Sequence, residues 1–224
     1  MDDDFAARHF VDPHSGKTHR IYTYKRRPCN RIVLESHLCK QLEGYVLIEK
    51  DLRSVLVWLE ELKKRDVESP ALRGNFFRNG IDRENYNLIK GLFVAALTFY
   101  GKCFSKCDGR PVKPERTQLD SKFRELHDLC ISYRHNFAAH SGAKKLEHVK
   151  IAVVYPAKYK SKVPFRIFKE LHQPDVFWPA PEDVSMPELL EHGRSIANRK
   201  IEQLATKIQN EEVIAKAALL WGKK

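Results

Sequence analysis

A chain of 224 residues with 40 Lys and Arg against 29 Asp and Glu carries a formal charge of +11, which draws polyanions and makes nucleic acid or an acidic protein the natural partner. An apolar fraction of 42% with 31% charged residues excludes a disordered or collagen-like chain and suits one hydrophobic core with an appendage. No apolar run nears the roughly 20 residues of a membrane span. The acidic start Met1-Asp2-Asp3-Asp4 is unlike a secretory signal, and five irregularly spaced cysteines point to reduced thiols, so a cytoplasmic location is expected.

The first thirty residues lack helical periodicity, and Arg20 to Lys25 alternates like a short strand, so residues 1–30 are expected to form an arm with one strand. Gly16-Lys17-Thr18 is not the end of a phosphate-binding loop, because that motif needs glycine where Val11 stands. From Ile32 to Lys64, residues Leu38, Leu42, Tyr45, Ile48, Leu52, Val55, Leu59 and Leu62 recur three or four apart and predict a long one-faced helix. Asp82 caps a second predicted helix that buries Leu88, Leu92, Val94, Ala95, Leu97 and Phe99 and stops near Gly109 and Pro111. Cys103 and Cys107 lie one turn apart, but no second pair with ligand spacing follows, so no metal is expected.

Thr117 and Asp120 open a third predicted helix through Phe123, Leu126, Leu129, Cys130 and Tyr133 to a stop at Gly142. Val149 to Tyr155 and Val163 to Phe168 read as a basic hairpin within about 147–170. Ser185-Met186-Pro187-Glu188 is a capping box with proline in the first turn, starting a last long helix through Leu190, Ala197, Ile201, Leu204 and Ile208. The fold class that results is mainly α: an up-and-down helical bundle of about four long helices over 31–224, with a small β-hairpin inserted before the last helix.

The end of the third helix concentrates chemistry. Arg134, His135, Asn136 and His140 place a guanidinium, two imidazoles and an amide within seven residues. Arginine offers a planar fork matched to phosphate oxygens, and histidine exchanges protons near neutrality, a combination suited to phosphodiester chemistry. The plainer reading is that such residues only satisfy the C-terminal carbonyls and dipole of their helix.

The spacing Arg134-His135-Asn136 to His140, followed by Ser141 and Gly142, resembles the motif of the HEPN (higher eukaryotes and prokaryotes nucleotide-binding) family, many of whose members are ribonucleases. The resemblance covers under ten residues. It implies a metal-independent endoribonuclease without cofactors: His140 as general base or acid, Arg134 stabilising the phosphorane, and His135 or Asn136 orienting them or binding the adjacent phosphate. Six α-helical residues turn through about 600° and rise about 9 Å, leaving Arg134 and His140 about a third of a turn apart. A two-fold homodimer would gather two copies of each group into one composite site, as the family resemblance also implies.

Lys144, Lys145, Lys150, Lys158, Lys160, Lys162, Arg166 and Lys169 are candidates to hold the RNA backbone, with Tyr159 available for stacking. The family resemblance also admits a toxin or phage-defence effector restrained by a separately encoded antitoxin. The alternative from another class is a non-catalytic HEPN-like module that binds RNA or protein and dimerises.

Overall fold

The computed structural model describes residues 4–68, 83–138, 148–157, 165–172 and 184–215. It is mainly helical with small antiparallel sheets. The chain divides into two compact units, residues 1–37 and 38–224.

The first unit is a three-stranded antiparallel meander of β1 (Phe5–Val11), β2 (Thr18–Tyr24) and β3 (Arg27–Pro28), where one strand was expected. Asp12 organises the β1–β2 turn: its carboxylate accepts from the His14 N–H at 2.9 Å and the Ser15 hydroxyl at 2.6 Å, and its carbonyl accepts from the Gly16 N–H at 2.8 Å. Gly16 has a φ of 66°, a left-handed conformation that glycine adopts without steric cost. Gly16-Lys17 thus belongs to a hairpin turn, and Thr18 opens β2.

In the second unit, α1 (His37–Glu68) is the predicted long helix. Tyr45, Ile48, Leu52, Val55, Leu59 and Leu62 are all buried on its inner face, so the three-and-four spacing translated directly into packing. Against it pack α2 (Arg83–Phe104), α3 (Ser121–Tyr133) and α4 (Met186–Ile208), which contribute Phe93, Leu97, Leu126, Leu189 and Leu190 to one core. Full burial of each such side chain favours folding by about 1.5–3 kcal/mol.

The buried face of α2 differs from the expected one. Ile89, Phe93, Ala96, Leu97, Tyr100 and Cys103 point inward, while Leu88 is exposed. The run from Leu92 to Leu97 is apolar all round and conceals its own period; the inward face is completed by Tyr100, whose hydroxyl finds a partner inside. The predicted third helix also starts later. Arg116–Gln118 form a single 3-10 turn in which the Glu115 N–H donates to the Gln118 side chain at 2.8 Å, and α3 begins only after Asp120.

The Ser185 capping box forms as read: the Ser185 N–H donates to Glu188 Oε2 at 2.8 Å and the Glu188 N–H to Ser185 Oγ at 3.4 Å. Farther along α4, Arg194 donates to Glu49 Oε1 at 2.8 Å and ties this helix to α1. The hairpin pairs β4 (His148–Val154) with β5 (Arg166–His172), the second strand lying a few residues beyond the expected Val163–Phe168. The register from His148↔His172 to Val154↔Arg166 carries pairing past Phe168 through Lys169, Glu170 and Leu171. The ladder bonds are made by backbone groups, so polar residues satisfy them as well as apolar ones do.

Among the described residues no helix is long and apolar enough to cross a membrane.

Candidate active site

The α3 helix does not stop at Tyr133. It widens into one π-helical turn, Arg134–Ala138, which contains Arg134, His135 and Asn136. Such single widened turns recur at functional sites because they re-aim side chains that a regular helix would hold in register. The third-of-a-turn relation expected for regular helical geometry therefore does not carry through this segment. His140 lies outside the described residues.

The Arg134 side chain is half-buried and lies across α2 at Gly101. A Cβ built on Gly101 would collide with Arg134 Cδ and sit 3.0 Å from Nε and 3.1 Å from Cγ. The absence of a side chain at position 101 is thus what lets the arginine stem reach across the neighbouring helix. Arg134 Nε is buried without a hydrogen-bond partner among the described residues. An unmet donor of a charged group in the interior costs free energy.

His135, next in the turn, is exposed. Asn136 turns back on its own helix, its Nδ2 donating to the Ser132 carbonyl at 2.8 Å and to Ser132 Oγ at 3.3 Å. Its amide nitrogen is thus engaged one turn back on α3. Of the expected constellation, Arg134 is held by packing against α2 and Asn136 by its bonds to Ser132, while His135 is exposed.

Gly101 is the residue that sequence reasoning missed. Its signal was a glycine inside a predicted apolar helix, in the last turn of α2, a placement that costs up to about 1 kcal/mol relative to alanine and calls for a packing reason. Two turns before Arg134 on α3, His127 faces α2 as well. Its Nδ1 lies 2.7 Å from the Tyr100 hydroxyl, and its ring packs edge-on against Phe104 with centroids 4.6 Å apart. Burial pushes the His127 pKa down, with Asp128 opposing and Arg116 assisting, so the ring is neutral at pH 7.

A second buried polar group lies on the α1 side of α2. Asp51 is fully buried, yet Lys50 Nζ at 2.7 Å and Lys102 Nζ at 3.0 Å face its two carboxylate oxygens, with Arg110 Nη1 at 4.0 Å. These are ion pairs rather than aligned hydrogen bonds. Arg110 is itself buried and is anchored by the Lys102 carbonyl and by Cys107 Sγ at 3.6 Å. The cluster fastens the linker after α2 onto α1.

Of the candidate RNA-holding residues, Arg166 is exposed on β5 with its guanidinium 5.8 Å from the centre of the Phe168 ring. Strand pairing divides the hairpin cations between faces: Lys150 and Arg166 share one side, with Glu170 opposite Lys150, and Lys169 lies on the other. Lys144, Lys145, Lys158, Tyr159, Lys160 and Lys162 lie outside the described residues. Among the described residues no group of three or more His, Cys, Asp or Glu side chains is placed to hold a metal ion.

Comparison of the chain with protein-family models, with curated proteins and with solved structures returned no match.

Proposed function

We propose that this chain is a metal-independent endoribonuclease of HEPN type built on an up-and-down helical bundle, with Arg134 and His140 as its catalytic pair. The observation that carries the reading is the half-buried Arg134 at a π-helical turn, laid across Gly101 with Nε unpartnered among the described residues. A guanidinium held in this way is preorganised for a phosphate, and preorganised charge is the largest single source of stabilisation for a phosphorane.

In this reading His140 removes the proton from an RNA 2′-hydroxyl as its oxygen attacks the adjacent phosphorus, or protonates the departing 5′-oxygen. Arg134 balances the charge that builds on the phosphoryl oxygens. The products are a 2′,3′-cyclic phosphate and a 5′-hydroxyl. His135 and Asn136 orient the scissile phosphate, and Lys144, Lys145, Lys158, Lys160, Lys162 and Arg166 follow the backbone, with Tyr159 stacking on a base. A two-fold dimer supplies the second Arg–His pair to a composite cleft. A toxin or phage-defence setting with a separate antitoxin chain is compatible with this chemistry.

The second reading, a non-catalytic HEPN-like module that binds RNA or protein and dimerises, is favoured by Asn136, whose amide is spent on Ser132 within its own helix. Incubation of wild type and of an Arg134→Ala, His140→Ala double variant with single-stranded and structured RNA in EDTA separates the two. Cleavage by wild type alone supports the nuclease; salt-sensitive binding by both proteins without cleavage supports the module.

A further inference from the structure

Strand pairing sorts the side chains of the N-terminal meander by face, because residues directly opposite one another project to the same side. The pairs Phe5↔Tyr24, Ala7↔Tyr22, His9↔Arg20 and Tyr24↔Arg27 therefore collect Phe5, His9, Arg20, Tyr22, Tyr24 and Arg27 on one side of the sheet. Aromatic and cationic side chains share that face with Ala7, Val11 and Thr18, and Phe5 and Tyr24 are 62% and 42% exposed. None of the three strands contains a carboxylate. The flanking acids are engaged, Asp4 with Lys25 at 3.3 Å and Asp12 with the Ser15 hydroxyl.

The turn between β2 and β3 adds a second observation. Lys25 and Arg26 both have positive φ, 46° and 64°, the geometry of a tight hairpin turn that ordinarily takes Asn-Gly. Two long cationic residues hold this left-handed conformation against a steric penalty, and they carry positive charge to the sheet tip beside Arg27.

We propose that this face of the meander is a docking platform for single-stranded RNA, with Arg20, Arg26 and Arg27 on phosphates and Phe5, Tyr22 and Tyr24 beneath unpaired bases. Charge complementarity selects a polyanion, because a face with arginines and no strand carboxylate attracts closely spaced phosphates and repels basic surfaces. Exposed aromatic rings select an unpaired strand, since a duplex hides the base faces on which they stack. The choice of RNA rests on the endoribonuclease reading; the platform itself does not depend on Arg134 or His140.

The test measures binding of a labelled single-stranded oligoribonucleotide to the full chain across a salt series, using an Arg134→Ala background so that cleavage does not intervene. Replacing Arg20 and Arg27 by Gln is expected to weaken binding about tenfold at low salt and to flatten the log–log salt slope by about 1.4, two phosphates' worth for a single strand. Tyr22→Leu keeps the apolar bulk and the strand but removes the flat π face, and is expected to cost about tenfold with the slope unchanged. Circular dichroism matching the parent shows that the sheet and helices are intact in each variant. Unaltered affinity and slope in both variants would overturn the proposal and leave this face to a protein partner. Tighter binding of duplex RNA, or of single-stranded DNA of the same sequence, would overturn the assignment to single-stranded RNA. Loss of cleavage in Arg134→Ala without loss of this binding separates the platform from the catalytic site.

Discussion

Arg134 occupies the space that a side chain on Gly101 would fill, so one helix omits a Cβ where the next lays down its guanidinium stem. The relation couples α2 to the chemistry proposed at the end of α3. A Gly101→Ala substitution gains about 1 kcal/mol of helix propensity and costs about 1–3 kcal/mol through overpacking, leaving a folded protein. On the proposed nuclease reading, RNA cleavage by this variant and by Arg134→Ala is expected to fall by about 10²–10³, because the guanidinium is displaced or removed from its pre-set position. Melting temperature and cleavage rate measured together check this; a stable variant with full activity would dissociate Gly101 from the site.

His127 gives the fold an acid sensitivity. Burial lowers its folded pKa below the ordinary value, so the unfolded chain binds this proton more readily than the folded one. The sign follows: the group's contribution is intact above about pH 6.5 and is lost progressively as pH falls through the unfolded and then the folded pKa. Urea unfolding at pH 7.5 and pH 5.0 is expected to show lower stability at the acid end. A His127→Phe variant should lose much of that difference, although Tyr100 then loses its hydroxyl partner and the variant is weaker at both pH values.

The thiols divide by environment. Cys39, Cys103 and Cys130 are buried, and burial pushes the Cys103 and Cys130 thiols up to about 12. Cys29 and Cys107 are partly exposed. A thiol reagent at pH 8 is therefore expected to label Cys29 and Cys107 quickly and the other three only on unfolding. Peptide mapping of labelled sites checks the assignment.

Asp51 is the buried carboxylate on which Lys50, Lys102 and Arg110 converge. Asp51→Ala leaves the buried Arg110 without its counter-charge and is expected to cost about 3–5 kcal/mol in chemical denaturation. A loss below 1 kcal/mol would show that water, rather than Asp51, balances Arg110.

The sequence announced the parts of the fold that obey simple periods. Tyr45 through Leu62 fell three and four apart and are buried, and the Ser185–Glu188 capping box stands where the residues placed it. What it concealed are relations between distant segments. The buried position of Asp51 depends on cations from α2 and from the linker beyond it, and the inward turn of Tyr100 depends on His127, 27 residues away. The first strand, Phe-Ala-Ala-Arg-His-Phe-Val, lacks clean alternation and is held by pairing with β2. At the candidate site the residue types at Arg134, His135 and Asn136 were legible as chemistry. The widened turn that aims them and the glycine that receives the arginine were not, since both follow from packing between α2 and α3.

The most direct test of the proposed chemistry is to offer the wild-type protein, in EDTA, one RNA sequence in two forms, unmodified and with every 2′-hydroxyl methylated. Attack by the 2′-oxygen predicts that the unmodified strand is cut to fragments ending in 2′,3′-cyclic phosphate and that the methylated strand stays intact. Cleavage of the methylated strand, or fragments from the unmodified strand that end in a simple 5′-phosphate, would contradict it.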